Sequence, residues 1–138
     1  MNRNDLQKIS RIRLKEASVL LKYGHYSGAY YLTGYCIECA IKSCIAKQIK
    51  QHEFPDKDLA NRAWSHDLEK LIATAGLTLV LQSDMKNNST LQLNWAIVKD
   101  WNQASRYDIN ISIFQAKDFY SACFTRTNGI YSWIKKRW

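Results

Sequence analysis

The run Tyr26-Ser27-Gly28-Ala29-Tyr30-Tyr31-Leu32-Thr33-Gly34-Tyr35-Cys36-Ile37-Glu38-Cys39-Ala40-Ile41 decides how this chain folds. It is apolar or small almost throughout and carries a single charge, Glu38. Tyrosines, glycines and alanines in this mixture read as a helix packed on nearly all sides. Gly28, Ala29, Gly34 and Ala40 leave room for a neighbouring helix to approach closely. A lone carboxylate in such a run must neutralise, pair with a cation, or face a solvated cleft. Lys42 follows four residues later, one turn on and on the same face.

Outward from that run, helical periodicity continues in both directions. Leu6, Ile9, Ile12, Ala17, Leu20 and Leu21 are spaced for one face of a helix over residues 5–22, with Asn4 or Asp5 as its cap and Gly24 beyond its end. Ser27 is the expected cap of the second helix, which runs to Lys50. Gln51 to Trp64, with Pro55 and mixed charges, reads as a long loop. Ser65 is then the expected cap of a short helix carrying Asp67 and Glu69 in its first turn and stopped by Gly76. Residues 77–86 read as a further helix, with Leu79-Val80-Leu81 as a buried strand the alternative. Asn87-Asn88-Ser89 is a loop, and Leu91 to Trp101 is helical. Ser112-x-x-Gln115 has the form of a capping box, and a spacing of three and four from Ala116 to Ile134 predicts one long final helix across Gly129.

Composition bounds the class. The chain has 138 residues, 46% hydrophobic, with one proline and five glycines, too few turn-formers for a many-stranded sandwich or barrel. Residues 1–138 therefore form a single all-α domain: an up-and-down four-helix bundle with one or two additional short helices. No segment reaches the roughly 18 uncharged apolar residues of a membrane span, and the first residues lack the apolar core of a signal peptide. The expectation is a cytoplasmic protein without a membrane partner and with reduced cysteines. Cys36 and Cys39 form a C-x-x-C, but mid-helix and without a second pair at zinc spacing, so they read as core and no metal or cofactor is expected. The net charge of +8 permits contact with phosphates, and its excess gathers in residues 1–22 and in Lys135-Lys136-Arg137.

Three places carry candidate chemistry. Glu38 and Lys42 form an i,i+4 pair in an apolar setting. In Ser65-His66-Asp67-Leu68, His66 sits at a helix start, where a neutral imidazole can act as a general base. In Trp101 to Asp108, Arg106 lies in a polar turn beside Tyr107 and suits an anion or phosphate fork.

At these places together the chain resembles the HEPN domain, a family of small helical bundles among prokaryotic toxin, defence and nucleotide-associated proteins. The resemblance runs from Leu14–Tyr23 through Ala29–Lys42, with its Gly-Tyr-x-x-Glu-Cys-Ala-x-Lys element, then His66-Asp67-Leu68-Glu69-Lys70-Leu71, Trp101 and Ser105-Arg106-Tyr107, to the final helix. It implies a homodimer and, in many members, a metal-independent ribonuclease acting through an Arg-x(4–6)-His motif. This chain departs from that motif. Its histidines are His25, His52 and His66, and the nearest arginine, Arg62, precedes His66 by only four positions.

The resulting expectation is a HEPN-like protein associated with a nucleotide or RNA, a ribonuclease of a toxin or phage-defence system if its site is catalytic. His66 and Arg106 would be the catalytic pair, and Glu38, Lys42, Asp67 and Tyr107 the binding residues. The rival is a noncatalytic helical interaction module, partner to a minimal nucleotidyltransferase or an antitoxin.

Overall fold

A computed structural model of the chain describes residues 1–49, 53, 54 and 56–138. Helix α2 (Tyr26–Ala46) lies at its centre. Residues 36 to 41 are buried consecutively, more than one full turn, so no face of α2 there meets solvent. Around it pack α1 (Arg3–Lys22), α4 (Leu68–Thr74), α7 (Ile113–Phe124), α8 (Ile130–Lys135) and a 3₁₀ turn, Gln103–Tyr107. Three further helices, α3 (Lys57–Ala63), α5 (Thr78–Lys86) and α6 (Ser89–Val98), complete an all-helical chain with no strand among the described residues.

α1 and α2 form an antiparallel hairpin. Ser10 Oγ donates to the Cys36 carbonyl at 2.8 Å, and near the turn Leu20 lies so close to Gly28 that a Cβ there would meet it at 3.2 Å. Gly24, at φ +81°, takes the left-handed conformation that ends α1, and His25 N–H returns to the Leu20 carbonyl at 2.9 Å. The cap of α1 is Asn2, not Asn4 or Asp5. Asn2 Oδ1 accepts from the Asp5 amide while Asp5 Oδ2 accepts from the Asn2 amide, each at 3.0 Å, so Asp5 serves as the reciprocal half of a capping box. α2 starts at Tyr26 without a side-chain cap, so Ser27 lies inside it, and it ends at Ala46.

The stretch expected as a loop contains α3. Asp56 caps it, Asp58 stands in its first turn and Arg62 in its last, so mixed charge there complements the helix dipole. Lys50, Gln51, His52 and Pro55 lie outside the described residues. Residues 78–86 are helical, and Leu79 points into solvent, which removes the buried-strand alternative. α6 ends at Val98, and Trp101 lies beyond it, in the core.

The long final helix is broken in two. Thr125 turns extended, Asn128 adopts φ +64°, and Gly129 begins the next segment where a Cβ would stand 2.2 Å from the Thr125 carbonyl oxygen. Asn88 Nδ2 donates to Asn128 Oδ1 at 2.6 Å and Asn94 Nδ2 to the Asn128 carbonyl at 2.8 Å, fixing this break against α6. The apolar spacing survives the interruption because α7 and α8 both run along α2: Tyr30 meets Phe119 at 4.5 Å between ring centres, and Cys44 Sγ lies 3.9 Å from the Ile134 carbonyl.

Candidate functional site

Glu38 is the point where α2 and the start of α4 meet. Its side chain is 2% exposed, and its Oε1 accepts from Lys42 Nζ at 2.8 Å and contacts His66 Nδ1 at 2.9 Å. A buried carboxylate is tolerable when it is paired and hydrogen-bonded, and here one oxygen carries both partners. The other, Oε2, is buried without a hydrogen-bond partner. Lys42 is 18% exposed and His66 39%, so the carboxyl group sits inside and its two partners span to the surface.

Local chemistry sets the ring of His66. Ser65 Oγ accepts from the Asp67 amide at 3.1 Å, and Asp67 Oδ1 accepts from the Lys70 amide at 3.1 Å. Asp67, not Ser65, is therefore the cap of α4, and His66 stands one residue before that cap, outside the helix and not in its first turn. Asp67 is thereby committed to the cap. With Nδ1 held by Glu38, the ring nitrogen left for other work is Nε2.

His66 opens on a basin of about 550 Å³, lined also by Ser65, Asp67, Glu69, Lys99, Asp100 and the segment Trp101 to Ala104. Its rim is mixed in charge, with Asp67, Glu69 and Asp100 set against Lys99. Trp101, 1% exposed, forms part of its wall and keeps its indole N–H buried without a partner. The indole lies on Gly34, where a Cβ would stand 2.1 Å from the ring, and Tyr31 stacks at 6.1 Å. Gly34 thus admits an aromatic side chain, where the sequence suggested a helix.

The structure brings Glu38, Lys42 and His66 together and leaves Arg106 and Tyr107 apart from them. Arg106 is exposed on the 3₁₀ turn, its guanidinium 4.7 Å from the Tyr107 ring centre, whereas the polar partner of His66 is Glu38. Gln103 and Ala104 of the same turn do border the basin. Lys99, Asp100 and Asn102, also on the rim, carried no sequence signal beyond their nearness to Trp101.

Among the described residues no group of three or more His, Cys, Asp or Glu side chains is arranged to hold a metal ion. All four cysteines are free and buried. Burial pushes the Cys36 thiol up to about 12 and those of Cys39 and Cys44 up to about 11, and raises Cys123 well above the ordinary thiol range. The thiolate is the reactive form, and its fraction at pH 8 falls about tenfold for each unit the pKa rises. Native protein is therefore expected to resist iodoacetamide at pH 8, while urea-unfolded protein takes up label at every cysteine; rapid native labelling at Cys36 or Cys39 would contradict the core assignment.

Compared with protein-family models, curated proteins and solved structures, the chain finds no match. No helix of the described residues is long and apolar enough to cross a membrane.

Proposed function

We propose that this is a HEPN-like protein whose Glu38–His66 site engages RNA or a nucleotide, with His66 as the proton-transferring group. The observation that carries this reading is the shared oxygen of Glu38: a buried carboxylate anchored by Lys42 holds Nδ1 of a half-exposed histidine that lines an open basin. A carboxylate behind an imidazole fixes its orientation and stabilises the imidazolium formed when it accepts a proton. On RNA, His66 Nε2 takes the proton of a ribose 2′-hydroxyl and the 2′-oxygen attacks the adjacent phosphorus. The bond from phosphorus to the 5′-oxygen breaks, and that oxygen leaves with a proton from water, giving a cyclic phosphate and a 5′-hydroxyl end. Arg106, on the turn that borders the basin, is the group to hold phosphate.

The same reading takes the architecture as an up-and-down four-helix bundle. α1 antiparallel to α2, and α7 with α8 running along α2, support it. It also takes the protein as a homodimer in a cytoplasmic toxin or defence setting.

A second reading has an observation of its own. Tyr107, Ile109 and Phe114 are 74%, 86% and 75% exposed within eight residues of chain, a surface that suits a noncatalytic module docked on a nucleotidyltransferase or antitoxin.

Cleavage of structured and single-stranded RNA in the presence of chelator separates the two. The wild type is expected to cleave. His66→Ala should lose about 10²- to 10⁴-fold in rate while keeping its circular dichroism, and Arg106→Ala should lose activity if its guanidinium reaches the phosphate. Absence of cleavage by the wild type, or a His66→Ala rate equal to it, would transfer the assignment to the interaction module.

A further inference from the structure

The two basic clusters of the sequence lie at opposite ends of the chain, yet the fold brings Arg3 and Arg11 of the first beside Lys135 of the second, around Trp138. Arg3 Nη2 donates to the Trp138 carbonyl at 2.5 Å, and the Arg11 guanidinium lies 5.0 Å from the Trp138 ring centre. Lys135 Nζ approaches the same ring at 5.8 Å, and Lys47 Nζ reaches the Arg137 carbonyl at 3.4 Å. One turn to either side of Arg11 on α1, Lys8 and Lys15 stand exposed.

Among the described residues no acidic side chain neutralises this face. The two acids of α1 are engaged elsewhere, Asp5 in the Asn2 cap and Glu16 on Arg13. Arg137 turns away to Asp84. Among the described residues no carboxylate side chain makes an ion pair with Lys8, Arg11, Lys15, Lys47, Lys135 or Lys136. Two cations sharing one indole gain cation–π attraction but repel each other, and a polyanion arriving there removes that repulsion. The rim of the His66 basin, with three carboxylates, supplies no comparable attraction.

We propose that the face formed by Lys8, Arg11, Lys15 and Lys135 around Trp138 is a binding surface for the phosphate backbone of RNA, separate from the His66 basin. It rests on the proposed RNA-directed function only for the choice of RNA among polyanions. The face reads charge and spacing of phosphates, so it binds without sequence preference, and counterion release makes that binding steeply dependent on salt.

The test is fluorescence anisotropy with a 2′-O-methyl RNA of about 20 nucleotides, a length sufficient to cover several phosphate contacts and a chemistry that cannot be cleaved through its 2′-oxygen. Log affinity is measured against log salt for wild type and for Arg11→Gln/Lys15→Gln/Lys135→Gln. Lys8→Gln/Lys15→Gln, which touches no packed side chain, serves as the second variant. Lys57→Gln/Lys86→Gln on α3 and α5 is the control.

The triple variant is expected to bind at least tenfold more weakly at roughly 0.1 M salt, with a slope flattened by about 2, close to 0.7 for each lost phosphate contact. The double variant should flatten it by about 1.4, two thirds as much, and the control should match wild type. Slopes unchanged in both variants, or losses as large in the control, would overturn the assignment. So would capture of vesicles rich in phosphatidylserine by a protein that leaves the RNA free. The outcome is independent of the His66 chemistry: loss of binding in a protein that never cleaves supports the face and refutes the nuclease, whereas cleavage lost in His66→Ala with unaltered variant slopes does the reverse.

Discussion

Gly34→Ala is expected to destabilise the protein by about 3 kcal/mol, lowering its thermal midpoint by roughly 10 °C. The sign is what makes this informative. In an ordinary helix interior the same change stabilises by about 1 kcal/mol, because alanine loses less backbone entropy. Gly34 lies mid-helix in α2, where that rule would otherwise apply. It fails here because the added Cβ would stand 2.1 Å from the Trp101 indole, and an indole buried to 1% exposure has nowhere to retreat.

Trp101→Ala should cost about 3–5 kcal/mol through the cavity it leaves. In Gly34→Ala/Trp101→Ala the steric part of the first cost disappears, so the double variant should be more stable than the sum of the singles predicts by about 2 kcal/mol or more. Urea unfolding of all four proteins closes the cycle. A stabilising or neutral Gly34→Ala would mean that Trp101 is not seated on α2. The consequence reaches the site, because Trp101 and the three residues after it form one wall of the basin that His66 faces.

The helices were legible where burial imposes a period. α2 announced itself because the run from Tyr26 to Ile41, packed on nearly all sides, carries a single charge, and α4, α5 and α6 were framed by Gly76 and by Asn87-Asn88. The errors came from backbone detail that hydrophobic spacing does not record. The spacing from Ala116 to Ile134 continues through the Thr125–Gly129 break, since both halves present the same stripe to α2, and the interruption lies in the backbone, in the extended Thr125 and the left-handed Asn128. α3 was missed because its signal is electrostatic: Asp56 and Asp58 before it, Arg62 near its end, and no buried residue to give a stripe.

The site divides in the same way. Glu38 and Lys42 are joined by the helix itself, so their spacing sufficed. His66 reaches Glu38 across 28 positions, which needs α4 to dock on α2, and only its place at the start of an apolar helix hinted at that. Arg106 is a candidate by its residue type, an arginine in a polar turn, which says nothing of distance; within one chain the packing of Trp101 against Gly34 sets its turn beside the basin with the guanidinium on Tyr107.

Lys42→Met is expected to cost about 3 kcal/mol, and Glu38→Gln only about 1 kcal/mol, although both break the same pair. The asymmetry follows from where each group can go. Without Lys42, the carboxylate of Glu38 keeps its 2% exposure and retains His66 as its one partner, with Oε2 still unpartnered. Without the charge on Glu38, Lys42 already reaches the surface and can turn its ammonium into water, while the glutamine amide keeps an oxygen for His66. The double variant Glu38→Gln/Lys42→Met leaves no buried charge, so it should recover about 1–2 kcal/mol relative to the sum. Urea unfolding at neutral pH measures the cycle. Equal single costs would show that Lys42 is as confined as Glu38, and an additive double would show that the two do not interact. Glu38→Gln also separates the two readings of function. A structural lock predicts the modest stability loss and nothing more. A carboxylate that orients His66 and stabilises its protonated form predicts, at nearly full stability, an RNA cleavage rate at least about 10²-fold lower.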